Sequence, residues 1–283
     1  MNAIDISSWQ KGIDLASVFE KNSLNVVVCK ATEGTHYLNP EFRPWMDWLT
    51  ANNKLFGFYH FLSGGDANGE AEYFYSTVQP YIGKGVPVAD FEGYALGKGS
   101  AWLKQFCDHF YELSGVKCMI YCSLSVVSGL QGLTDHPLWI AQYADMEVVN
   151  GFLTTPWQSG SVAPWDSYVM HQYTGNGRLK GYDGALDLDK VYLTPEEWTK
   201  LARGEKTTPP SAYKPVDPVV INNVLDGKYG IGTERIIALR EAGYDPTEVQ
   251  KKINSLYVIG AKVKAAIGAE TQYINQIIKI ARM

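Results

Sequence analysis

No stretch of this 283-residue chain approaches the roughly 18 consecutive apolar residues that a membrane-crossing helix requires, so no membrane partner is expected. Cysteine is scarce. Its four copies, Cys29, Cys107, Cys118 and Cys122, sit in apolar surroundings and offer no disulfide framework. Cys118 and Cys122 stand four positions apart on a predicted strand, which is not the usual zinc-ligand spacing, so free buried thiols are expected. The five histidines form no H-E-x-x-H or similar cluster. That disfavours a zinc amidase or peptidase, and neither metal nor cofactor is expected. The N-terminal MNAIDISSWQKG lacks a basic segment followed by an apolar one, so no signal peptide is expected. A strong excess of one charge is also missing: the net charge is -5, which gives no reason to expect nucleic acid as a partner. These absences describe a protein made soluble in a reducing cytoplasm, which needs a separate exit route to act outside the cell.

What is present is ordinary in bulk and uneven in detail. The hydrophobic fraction of 46% and charged fraction of 19% are those of a globular protein. Aromatic residues reach 13%, and flat rings both fill cores and stack on sugar faces. Up to Gly204 there are 14 Lys/Arg against 22 Asp/Glu, whereas the remainder has 11 against 8, a change from -8 to +3. Eight apolar runs read as strands, at 2–7, 25–31, 54–62, 85–92, 116–123, 137–143, 168–174 and 185–191. Helical patterns fall at 39–53, 67–79, 98–114 and 195–203. Strands alternating with helices predict an α/β fold, an irregular TIM-like β/α barrel. The later strands have no helix of useful length between them, so some antiparallel pairing is expected there. The segment GEKTTPPSAYKPVDP (204–218) has no apolar periodicity and reads as a semi-rigid linker. Beyond it, PVVINNVLDG, GTERIIALREAG and DPTEVQKKINSLY predict three short helices, and the last stretch, 258–283, also has a helical pattern. The expected organisation is a barrel at 1–203, a linker at 204–216 and a small all-α helical bundle at 217–283.

In such a barrel, reacting groups gather at the carboxyl ends of the strands. Asp5 ends the first strand, Lys30 and Glu33 follow the second, and Tyr59 and His60 close the third. Asp90 and Glu92 close the fourth. Tyr121 and Trp139 lie on the fifth and sixth, Gln142 and Tyr143 end the sixth, Gln172 and Tyr173 the seventh, and Asp187 lies in the eighth. The sharpest element is VPVADFEG, where strand alternation puts Asp90 and Glu92 on one face. Two neighbouring carboxyls repel, and one in a partly apolar site keeps its proton. Glycoside hydrolysis needs that division: one carboxyl to protonate the leaving oxygen and another, charged, to face the developing positive charge.

The ordered segments AIDISSWQ, KATEGTHYLNPEF, GFYHF, VADFEG, LWIAQY, HQYTGNG and GYDGALDLD resemble the Chalaropsis-type lysozymes, glycoside hydrolase family 25, many of which are bacteriophage endolysins. The resemblance covers about residues 1–200. It implies an irregular β/α barrel that cuts the MurNAc-β-1,4-GlcNAc bond of peptidoglycan, with Glu92 as proton donor and Asp5, Asp90 and Asp187 as the other active-site carboxylates. Asp183 and Asp189 compete with Asp187 for the last position, because ALDLD stands where a valine often precedes the first aspartate. Tyr59, Tyr121, Trp139 and Tyr173 are candidate sugar platforms. His60, Gln142, Tyr143, Gln172, Lys30 and Glu33 are candidate polar contacts to substrate. Other activities in view are a glucosaminidase, a chitinase, or a glycan-binding protein without catalysis.

The segment 217–257 is similar to a short muropeptide-binding repeat of phage lysins, through V-L-x-G-x-x-G, R-x-x-x-L-x-x-A-G-Y-D-P and V-Q-x-x-I-N. The resemblance implies a cell-wall-binding tail, with homo-oligomerisation as a route to avidity for a single copy. It also implies an enzyme made in the host cytoplasm that reaches the wall after release through a phage holin.

Overall fold

The computed structural model describes residues 1–205, 214–230, 232–246 and 248–256. Among them, ten strands join one sheet: β1 Asn2–Ile6, β2 Val26–Glu33, β3 Tyr37–Leu38, β4 Leu55–Phe61, β5 Val86–Asp90, β6 Met119–Ser123, β7 Leu138–Ala141, β8 Val149–Asn150, β9 Met170–Arg178 and β10 Leu186–Val191. The path runs β1-β10-β9-β7-β6-β5-β4-β2, and a β1–β2 pairing closes it into an eight-stranded barrel. The pairings from β1 through β2, β4, β5, β6 and β7 to β9 are parallel. The last strand, β10, is antiparallel to both β9 and β1. That reversal matters for function. It carries the start of β10, where Asp187 sits, to the end of the barrel at which the other strands finish.

Alternation sorts the strand residues into two layers. One set, including Ala3, Val26, Val28, Val86, Val88, Met119, Trp139, Met170 and Val191, fills the barrel interior. The other, including Ile4, Val27, Cys29, Phe58, Ala89, Ile120, Leu138 and Leu188, packs outward under the helices. Both faces are buried, which is why the early strands read as continuous apolar runs. The helices of this unit are α1 Leu15–Lys21, α2 Phe42–Ala51, α3 Ala67–Val78, α4 Gly99–Ser114, α5 Leu124–Val127 and α6 Pro195–Ala202. Local chemistry fixes their ends. Asp66 caps α3 by accepting from the Gly69 amide, and α4 stops at Gly115, whose φ of 71° is left-handed. Thr194 and Glu197 form a reciprocal capping box that starts α6. Helix α6 then delivers Trp198 and Ala202 to the interior cluster, and the Trp198 indole donates to the Phe56 carbonyl at 3.1 Å. All four cysteines are buried and free.

The chain divides into two compact units, Met1–Thr207 and Thr208–Met283. In the second, α7 Pro218–Leu225, α8 Gly232–Glu241 and a helical stretch over 248–256 have a core of their own. It comprises Val220, Ile221, Val224, Leu239, Val249 and Ile253. Asp217 caps α7, accepting from the amides of Val219 and Val220. The helix expected over 258–283 lies outside the described residues.

Candidate active site

A cavity of about 300 Å³ opens at the carboxyl end of the barrel. Its lining includes Asp5, Lys30, Tyr59, Asp90, Glu92, Tyr121, Trp139, Tyr143, Gln172 and Asp187. These residues come from separate strands, and their convergence follows from the period of two. In β5, Val86 and Val88 point into the barrel, so Asp90 and then Glu92 do as well, while Phe91 turns outward and is buried in the outer core. In β10, antiparallel pairing sets Asp5 opposite Asp187 and Ala3 opposite Asp189.

A hydrogen-bonded frame holds the floor. Gln172 donates through Nε2 to Asp5 Oδ2 at 2.8 Å. Its Oε1 accepts from the hydroxyls of Tyr121, at 2.8 Å, and Tyr143, at 2.6 Å. One glutamine thus ties three cavity residues together. Lys30 is the cation of the cavity lining. It pairs with Glu33 at 2.6 Å, and its ammonium lies 4.6 Å from the Phe61 ring centroid and 5.4 Å from that of Tyr37. A β-bulge between Lys30 and Thr32 separates the inward Lys30 from the outward Thr32.

Four carboxyls against one ammonium in a half-closed space cannot all be charged at little cost. Burial, then the negative charges of Glu92 and Asp5, pushes Asp90 well above the ordinary carboxylate range. Burial and then Asp187 do the same to Asp5, against a lowering by the Gln172 hydrogen bond. Asp187 is pushed up to about 6, by burial first and Glu92 second. Glu92 is raised by burial and drawn back by Lys30. Asp90 Oδ1 is buried and accepts no hydrogen bond among the described residues.

Four of the residues expected to touch substrate lie elsewhere. His60 is fully buried behind the wall, because Tyr59 and Phe61 on either side of it point inward. Its Nδ1 lies 2.7 Å from the Thr32 hydroxyl and its Nε2 3.1 Å from Glu70. Burial holds its pKa down, so the ring is neutral and serves to pin the loop after β4. There Glu70 also accepts from the Ser63 amide and hydroxyl and the Gly65 amide. Tyr173, next to the inward Gln172, belongs to the outer core, and its hydroxyl accepts from the Leu153 amide. Glu33 is held at the rim by Lys30 and is not part of the lining. Gln142 lines a neighbouring cavity of about 450 Å³ with Ser123, Leu124, Ser125, Ala141 and Tyr143. Its carboxamide is tied to Ser159 in both directions. Asp183 is exposed and Asp189 is wholly buried, so of the three competitors only Asp187 faces the cavity. Sequence reasoning missed Ser7, Trp9 and Phe61 in the lining. Phe61 was available from its spacing of two from Tyr59. Trp9, 90% exposed, follows β1 within the SSWQ segment, but nothing in its sequence marks it as a rim residue.

Comparison with known proteins finds two family models along the chain. The family model "Glycosyl hydrolases family 25" matches residues 4–182, and the "CW_7 repeat" matches residues 219–257. The autolytic lysozyme of Clostridium acetobutylicum is 29% identical over 195 residues, which cover 67% of this chain and 55% of that protein. The chain thus spans little more than half of that relative's length. The lysozyme of Streptococcus phage Cp-7 is 28% identical over 266 residues, covering 89% of this chain and 69% of that one. Among solved structures, the bacterial lysozyme from Streptomyces coelicolor superposes with a TM-score of 0.60 at 22% identity, over 72% of this chain and 97% of that one. That likeness is one of fold.

Proposed function

The chain belongs to glycosyl hydrolase family 25, and from that premise we propose that it is an N-acetylmuramidase, a lysozyme that hydrolyses the MurNAc-β-1,4-GlcNAc bond of bacterial peptidoglycan. The observation that carries this reading is the convergence of Asp5, Asp90, Glu92 and Asp187 on one cavity beside aromatic walls. Glu92 is the general acid. It is partly open at the strand end, and burial raises its affinity for the proton. As the glycosidic bond breaks, its electron pair stays on the leaving oxygen, which takes the Glu92 proton. Positive charge grows on the sugar ring, Asp187, whose carboxyl titrates near 6, supplies negative potential, and water then bonds to the anomeric carbon and returns a proton to Glu92. Asp90 Oδ1 lacks a donor, and the acetamido N–H of an amino sugar would supply one. Tyr59, Phe61 and Trp9 offer faces for sugar stacking.

The tail carries a cell-wall repeat, and its role in this reading is to hold the barrel on muropeptides of an insoluble substrate. A single copy binds weakly, and self-association would add avidity. The protein acts on the wall after passage through a holin-type pore. Digestion of purified walls followed by mass spectrometry of the products tests the reading. New reducing ends on MurNAc support it, new ends on GlcNAc make the enzyme a glucosaminidase, and no cleavage at all makes it a glycan-binding protein.

A further inference from the structure

Asp189 lies two residues beyond Asp187 on β10 and faces the same interior, one layer deeper, with small Ala3 opposite it on β1. It is fully buried. Its Oδ1 accepts from the Trp139 indole at 3.0 Å, while Oδ2 has no donor among the described residues. The neighbour of this carboxyl is that of Asp5, which stands diagonally across the β1–β10 pair on the same interior face, one pair nearer the mouth. Two carboxylates are both acceptors, so a bond between them exists only where a proton lies between. The frame decides which side holds it. Asp5 already accepts from Gln172 and lines the open cavity, so a charge there has both a donor and a route to water. Asp189 has the free oxygen and no access to water.

We propose that Asp189 is a positioning residue that keeps its proton through the working pH range and donates it to Asp5, so that Asp5 meets the substrate as an oriented acceptor. This deepens the muramidase reading and rests on it for the placing of Asp5 beside substrate. Electrostatics agrees with the geometry. Burial, then the charges of Asp5 and Asp187, holds Asp189 well above the ordinary carboxylate range. The inward Trp139 acquires a purpose here besides packing, since its N–H leaves Asp189 only one oxygen on which to carry the proton.

The test uses the full chain and two variants, with kinetics on purified walls and infrared spectroscopy in solution. Asp189→Ala removes the donor, and its turnover is expected to fall about tenfold or more with KM little changed. Asp189→Asn restores an N–H toward Asp5 and an oxygen toward Trp139, and is expected to recover most of that turnover. At neutral pH the difference spectrum of wild type minus Asp189→Asn is expected to show a protonated-carboxyl C=O band, the contributions of Glu92 and the other cavity carboxyls being common to both proteins. An Asn variant as impaired as the Ala variant means that a charge is needed at Asp189 and overturns the proposal. So does an Ala variant as active as wild type, or the absence of the band. If Asp189→Ala does not fold, the Asn variant and the band still decide. If the wild type cuts no wall, the muramidase reading falls by itself, while the band still tests where the proton lies.

Discussion

Glu92 and Asp187 face one cavity, and each has its proton affinity raised chiefly by burial, but the two are expected to respond differently to substitution. Glu92→Gln keeps the shape and removes the transferable proton. Turnover on walls is expected to fall by about a hundredfold or more, with an unchanged circular dichroism spectrum; lysis within tenfold of wild type would remove Glu92 from the acid's role. For Asp187 the consequence extends to stability. Its carboxyl titrates near 6 in the fold, against an ordinary value of 3.8. The native state therefore binds a proton more tightly than the unfolded chain, and this contribution to stability is lost as pH rises through about 6. By pH 7.5 the deficit is on the order of 2 kcal/mol once partial solvent access is allowed for. Asp187→Asn, which cannot charge, is expected to melt higher than wild type at pH 7.5 and close to it at pH 4, while losing turnover. Calorimetry at the two pH values checks this, and equal melting points at pH 7.5 would show that Asp187 carries no such strain.

Trp198 shows what a whole element contributes. Helix α6 sends this side chain into the barrel interior, where it is fully buried and hydrogen-bonded to the backbone of β4. Trp198→Ala is expected to cost about 3–5 kcal/mol, read as a fall in the urea midpoint, whereas a loss under about 1 kcal/mol would mean that the interior collapses around the gap. The eight barrel strands and the four longer helices of the first unit were legible in the sequence, because buried apolar runs ending in polar residues mark the strands and a period near 3.6 marks the helices. Helices α1 and α5 and strands β3 and β8 were not. Each is so short that tertiary contacts decide it rather than any repeating pattern. Strand ends located most of the cavity lining, but reading both residues of each end as facing the cavity ignored alternation. His60 beside Tyr59 and Tyr173 beside Gln172 point the other way for that reason. Asp187 was separable from Asp189 only once β10 was known to run antiparallel, since direction determines which of the two carboxyls lies at the mouth.

Over the whole molecule, the two compact units carry different chemistry. Met1–Thr207 holds every carboxyl of the cavity, and Thr208–Met283 holds a separate apolar core in a matched cell-wall repeat. The charge change from -8 to +3 along the chain falls at nearly the same place. A tether raises the local concentration of cleavable bonds without touching the reacting groups, so its removal separates two readouts that would otherwise move together. Truncation after Gly204 is expected to leave hydrolysis of small soluble muropeptides within about twofold of wild type. Lysis of whole cells is expected to fall by about tenfold or more, because the barrel is no longer held near its insoluble substrate. The fragment 211–283 is expected to be helical by circular dichroism and to sediment with purified walls, and its failure to sediment would deny the tail a binding role. A truncated barrel that stays folded but is inactive on both substrates would make the tail part of the active site. Equal lysis by both forms would mean instead that the barrel's own groove supplies all the affinity the wall requires.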